Sequence, residues 1–184
     1  RVAPVGLLYS DDPEKLREIA YKSSSITHSH VLGQEGAALQ AYAVALALNT
    51  PSGEEIDKEA FLLKLQDFVQ NQLYQEKIAR MKELLAEQDR AKVIALLGNG
   101  IEAPRSVPTA IYSFLLQPKS YKDTVIYAIS LGGDTDTIAA MAGAISGAYL
   151  GIEAIPQEWR AKLENREYIE ALAEKLWQLA TSLQ

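Results

Sequence analysis

The 184-residue sequence contains no cysteine. That absence excludes disulfides, thiolate nucleophiles and cysteine-ligated zinc. Histidine occurs only twice, at His28 and His30. A spacing of two does not put both rings on one helical face, so a histidine metal pair is disfavoured, and no Ser/His/Asp nucleophilic set can be drawn. Positive charge is short as well. The formal net charge is −6, a poor balance for broad contact with nucleic acid or with an anionic membrane surface. The longest weakly polar stretch read from the sequence, 138–151, is too short for a bilayer, which needs about 20 residues. No phosphate-cradling Walker pattern is present, since no lysine follows Gly98-Asn99-Gly100. No signal-peptide pattern is visible, and the first residue is Arg1 rather than Met, so the chain reads as a processed, truncated or divided product.

What is present is helical periodicity over a length that suits one domain. Asp12-Pro13-Glu14 reads as a cap, a first-turn proline and an acidic first turn, followed by Leu16, Ile19 and Ala20 on one face. Residues 34–48 form an Ala-rich segment expected to be buried on most sides, and Asn49 to Gly53 reads as a turn. Helices are predicted over 54–69, 76–86 and 89–97, the last stopping at Gly98-Asn99-Gly100. A helix opened by Ser106-Val-Pro runs through Leu116, and Ser120-x-x-Asp123 resembles a capping box for 121–130. Ile169, Leu172, Leu176, Leu179 and Leu183 give a last helix, 166–183, a 3-4-3-4 apolar stripe. Residues 5–9 are the one segment that reads as a possible strand. The class is all-α, one compact bundle. The small residues from Ala139 to Ala148 place the helix that carries them at its centre.

At the head of that helix stands Ser130-Leu-Gly-Gly-Asp-Thr-Asp-Thr137. Asp134, Asp136 and Thr137 fall at i, i+2 and i+3 of a first turn, where their oxygens can converge. Two readings follow. Asp and Thr are ordinary N-caps, and acidic groups favour a helix N-terminus. Converging hard oxygens without thiols are also what Mg²⁺, Mn²⁺ or Ca²⁺ require. An EF-hand is excluded because Ile145 stands where the bidentate Glu belongs. A D-x-D phosphatase motif is a distinct alternative, but it should end a strand early in a long α/β domain, and only 48 residues follow Asp136.

The motif with its flank Ala-x-Met-Ala-Gly-Ala-Ile-x-Gly-Ala-Tyr-x-Gly resembles the C-terminal metal motif of the ADP-ribosylhydrolases, an all-α family. Ile26-Thr27-His28 with Gly36-Ala37 resembles that family's Thr-His helix entrance. Leu97-Gly98-Asn99-Gly100-Ile101 with Ser106-Val-Pro-Thr-Ala-Ile-Tyr112 is most similar to its type-3 branch. The resemblance implies a compact orthogonal helical bundle and a pair of Mg²⁺ ions, Mn²⁺ being acceptable to the same oxygens. It implies hydrolysis of the O-glycosidic bond joining ADP-ribose to serine, to poly(ADP-ribose) or to an acetyl group. Asp134, Asp136 and Thr137 match metal ligands, with Asp134 nearest the reacting water and Asp136 bridging. His28 and Ile101, with the turn Gly98, Asn99 and Gly100, match ligand-contacting positions. The implied partners are ADP-ribose and ADP-ribosylated proteins, with no direct nucleic acid and no membrane. The implied locations are nucleus and cytoplasm, with the mitochondrial matrix as an alternative. The family's Thr-Asp-Asp triplet, mobile Glu and diphosphate loop have no counterpart here. The chain therefore resembles the C-terminal part of one such domain, with the N-terminal half of the enzyme as its partner. A non-catalytic ADP-ribose-binding module is the second reading.

Overall fold

The computed structural model describes residues 1–51 and 54–182. The described residues form eleven α-helices and one 3₁₀ turn, with no strand. In chain order the helices are α1 (Ala3–Leu8), α2 (Pro13–Ser25), α3 (Val31–Leu48), α4 (Lys58–Phe68), α5 (Gln72–Glu87), α6 (Arg90–Leu96), α7 (Ala103–Leu116), α8 (Tyr121–Ser130), α9 (Thr135–Leu150), α10 (Gln157–Ala161) and α11 (Arg166–Ser182). The expected all-α bundle is what forms.

Segment 5–9 corrects the sequence reading, because residues 5–8 lie in α1 and Tyr9 is its C-cap, with no strand there. Pro4 sits in the first turn of this helix, where its missing N–H is harmless. Gly6 packs against α3 so closely that an added Cβ would lie 2.3 Å from the Ala41 carbonyl oxygen. A short apolar run does not distinguish strand from helix by periodicity, and here contact with α3 decides it.

The capping expectations hold. Asp12 accepts from the Lys15 N–H and Ser120 from the Asp123 N–H. α7 starts three residues earlier than expected, at Ala103, and Pro108 lies inside it. An interior proline costs about 3 kcal/mol. Ten consecutive buried residues, Ser106 to Leu115, outweigh that loss.

Two helices form the centre. α3 buries ten of its eighteen residues and α9 packs on α8, α7 and α3. α3 corrects the expectation that no stretch is long and apolar enough to cross a bilayer. By length and composition it is, and 56% of it is buried inside the fold. Its one carboxylate, Glu35, is 2% exposed. Glu35 accepts from the Gln70 N–H (2.6 Å), the Asn71 N–H (3.3 Å) and the Tyr21 hydroxyl, and faces Arg17 across 3.7 Å. Arg17 lies over the Phe68 ring at 4.0 Å and donates to the Phe68 carbonyl. Thus α2, α3 and the end of α4 are pinned through one buried anion.

The main core runs from α1 to α9. A second, smaller cluster of Ala110, Ala128, Ile138, Ala139 and Ala142 seats the first turns of α9 on α7 and α8. Small side chains let these backbones approach closely, so the head of α9 rests on a firm base. α11 differs from its sequence reading. It packs against α1 and buries none of its described residues, and Ile169, Leu172 and Leu179 stay close to half exposed. The turn expected at Asn49–Gly53 and the residue Leu183 fall partly or wholly outside the described residues.

Candidate metal and ligand site

Asp134 occupies the N-cap position of α9, yet its side chain makes no capping hydrogen bond. One of its carboxylate oxygens, Oδ2, is buried without a hydrogen-bond partner. The capping reading of this residue is therefore not what its side chain does. A buried, unsatisfied carboxylate oxygen is costly unless a cation or donor reaches it. Asp136 and Thr137 follow in the first helical turn and are exposed. The adjoining Asp134 carboxyl, and then the N–H groups of Thr137 and Asp136, hold the Asp136 carboxyl below its ordinary pKa. The α9 N-terminus favours negative charge at this spot.

These oxygens fit a divalent metal as part of a ligand set. Hard oxygen donors suit Mg²⁺ or Mn²⁺, and Asp134 Oδ2 has no other partner. They are not a full set, since among the described residues no three His, Cys, Asp or Glu side chains converge. Two concavities among the described residues, of about 320 and 540 Å³, lie around Tyr42 and Lys64 and contain none of the predicted site residues.

The turn before α9 is shaped by what lies next to it. Gly132 and Gly133 both have φ of +70°, a left-handed conformation that glycine tolerates. An added Cβ on Gly133 would lie 1.9 Å from the Asn99 carbonyl oxygen. That carbonyl accepts from the Asp134 N–H at 2.8 Å, and Asn99 Nδ2 donates to the Leu131 carbonyl at 2.9 Å. The fold thus joins two segments that sequence reading treated separately, the Gly98–Ile101 loop and the Asp134 turn.

The loop is anchored from below as well. Thr109 of α7 donates to the Gly98 carbonyl at 2.6 Å, and Lys77 of α5 donates to the Leu97 carbonyl. Desolvation, then the nearby Arg105 charge, lowers the Lys77 pKa. Ile101 projects from the loop and is 80% exposed. Sequence reading missed Lys77, Thr109 and Leu131, because their roles depend on contacts across 11 to 32 positions.

His28 lies just before α3, exposed, with Nδ1 2.8 Å from the Thr27 hydroxyl. Among the described residues, no hydrogen bond or ion pair connects it to Asp134 or to the 98–101 loop. His30 serves as the α3 N-cap, accepting from the Leu32 N–H. The structure therefore brings Asn99, between Gly98 and Gly100, to the Asp134 turn, and it places His28 at the α3 entrance. The phosphatase alternative fails here, since the D-x-D motif follows a helix and the described residues contain no strand.

The family model for ADP-ribosylglycohydrolase matches residues 1–184. The chain belongs to that family. Its relatives include ADP-ribosylhydrolase ARH3 of Bos taurus and of Homo sapiens. Each is 40% identical over 96% of this chain and 55% of its own length. An uncharacterized protein of Archaeoglobus fulgidus is 36% identical over 97% of this chain and 56% of its own length. Among solved structures, an ADP-ribosylglycohydrolase-related protein complex superposes with a TM-score of 0.71 at 25% identity, covering 96% of this chain and 57% of that one. The chain spans about half the length of the curated relatives it matches.

Proposed function

We propose that this chain carries the Asp-Thr-Asp-Thr half of a metal-dependent site that hydrolyses the O-glycosidic bond of ADP-ribose linked to serine, to poly(ADP-ribose) or to an acetyl group. The observation that carries the reading is the buried, unpartnered Asp134 Oδ2 at the head of a helix it does not cap. Family membership supplies the ligand class. A magnesium pair, when bound, would engage the ribose hydroxyls and supply an activated water.

The chain's own residues supply the remaining features. Asp134, Asp136 and Thr137 offer oxygens on one turn. The N-terminus of α9 adds a positive dipole end beside them. Loop 98–101 presents backbone and the exposed Ile101 next to that turn, a surface for an apolar or planar group of the ligand. His28 is a candidate contact at the α3 entrance. For the serine and ribose leaving groups an acid must also protonate the departing oxygen, because departure of an alkoxide is unfavourable. No residue of this chain is assigned to that step. It falls to the N-terminal half that the relatives' length allows for. The exposed apolar Ile26, Val31 and Ile101, and the half-exposed stripe of α11, support a further segment packing on this chain.

The test is calorimetric titration of ADP-ribose with Mg²⁺ and then with chelator, into the wild type and Asp136→Ala. Binding that needs metal and disappears in the variant is expected. Binding that survives chelation and the substitution unchanged overturns the metal reading. The second reading, a non-catalytic ADP-ribose-binding module, is favoured by the incomplete convergence of ligands. Release of ADP-ribose from a serine-modified peptide decides between the two.

A further inference from the structure

We infer that Asn99 is a positioning residue for Asp134, locking the ligand-facing loop to the turn that bears the carboxylates. The inference rests on the metal reading above. Asn99 grips both ends of the turn. Its side-chain nitrogen donates to the Leu131 carbonyl at 2.9 Å, and its main-chain carbonyl accepts from the Asp134 N–H at 2.8 Å. Between those two points lie only Gly132 and Gly133, which have no side chains with which to hold the turn. Asn99 is itself held, because the two preceding carbonyls, of Leu97 and Gly98, take donors from Lys77 and Thr109.

Three successive carbonyls therefore receive donors from three different elements. This makes the loop a rigid abutment for Asp134. It also commits one N–H of the Asn99 side-chain amide to Leu131, so the side chain acts on the carboxylate turn. Groups that orient a metal ligand govern affinity almost as strongly as the ligand itself, and their loss costs roughly 10–100-fold in binding. A turn made of two glycines needs such a group more than most.

Mn²⁺ is the probe, titrated by electron paramagnetic resonance into the protein as it occurs in the cell. Asn99→Ala removes the donor. Asn99→Asp keeps the size but turns an acceptor toward the Leu131 carbonyl, and serves if the alanine variant does not fold. Ser120→Ala removes a helix cap away from the turn and controls for stability loss alone. The expected result is Mn²⁺ affinity at least about tenfold weaker in both Asn99 variants and unchanged in Ser120→Ala. Wild-type Mn²⁺ affinity in an Asn99 variant overturns the inference, including the case in which only ADP-ribose binding is weakened. A wild type that binds no Mn²⁺ overturns the metal reading, and the inference with it.

Discussion

Replacing each of the two glycines before Asp134 with alanine separates two physical effects at adjacent positions. Gly132 and Gly133 share the same φ of +70°. An L-residue there costs roughly 1–2 kcal/mol whatever its surroundings. The surroundings differ. An added Cβ on Gly132 meets only Asn99 Nδ2 at 3.9 Å, whereas on Gly133 it meets the Asn99 carbonyl oxygen at 1.9 Å and the carbonyl carbon at 2.9 Å. No rotamer change relieves a clash with backbone. The 98–101 loop would have to move by more than an ångström, but Thr109 and Lys77 anchor it. Gly133→Ala therefore loses the Asp134 N–H bond to Asn99 as well, a further 0.5–1.5 kcal/mol or so. Gly132→Ala is expected to lose about 1–2 kcal/mol, and Gly133→Ala at least about 1 kcal/mol more. Urea denaturation in chelator measures both without involving metal. Equal losses for the two variants would refute the close approach and, with it, the picture of the loop as an abutment.

Glu35→Ala should destabilise by about 3–5 kcal/mol in the same assay, because it leaves Arg17, the Tyr21 hydroxyl and the Gln70 and Asn71 N–H groups without their buried anion. Glu35→Gln, which keeps an acceptor for the two N–H groups, should lose less, and an alanine variant as stable as the wild type would show the network to be idle. Alkaline pH should also weaken the fold. Desolvation raises the Tyr74 and Tyr112 pKa values well above 10.0, so the unfolded chain releases these protons first. Stability is thus full below about pH 10 and falls as pH rises toward the folded values, by up to about 1.4 kcal/mol per pH unit for each tyrosine. Lys77, lowered by desolvation, opposes this with a single group. Denaturation midpoints that stay flat between about pH 8 and about pH 11 would contradict the assignment, and Tyr74→Phe should make the slope shallower.

Local signals in the sequence carried the helices well where one residue type does one job. The caps at Asp12 and Ser120 both read correctly, because a cap is set within a few residues. The failures share a different cause. The strand read at 5–9 was overridden by the packing of Gly6 on Ala41, and α7, read as opening at Ser106, starts earlier at Ala103 and carries Pro108 inside a run of buried residues. Glu35 offered a signal that went unused: a lone carboxylate inside a long apolar helix either faces solvent or is deliberately paired.

The candidate site shows the same division more sharply. The Gly-Gly-Asp-Thr-Asp-Thr pattern locates the carboxylates and, with its flanks, the family. It leaves cap and metal ligand equally open for Asp134, because both need an oxygen at a helix start. The fold speaks only against the cap, because the Asp134 side chain makes no capping hydrogen bond and its Oδ2 is left without a partner. The loop's part is likewise invisible along the chain. Gly98-Asn99-Gly100 looks like a helix stop, which it is, since Gly98 has φ of +92°. That the same stop braces a turn 32 positions away follows from α6 and α8 both ending beside the head of α9. The carbonyl of the α6 C-cap, Leu97, and the next two carbonyls, of Gly98 and Asn99, all reach donors on other elements. The satisfaction of one helix end thereby becomes the support for the carboxylates at the start of another.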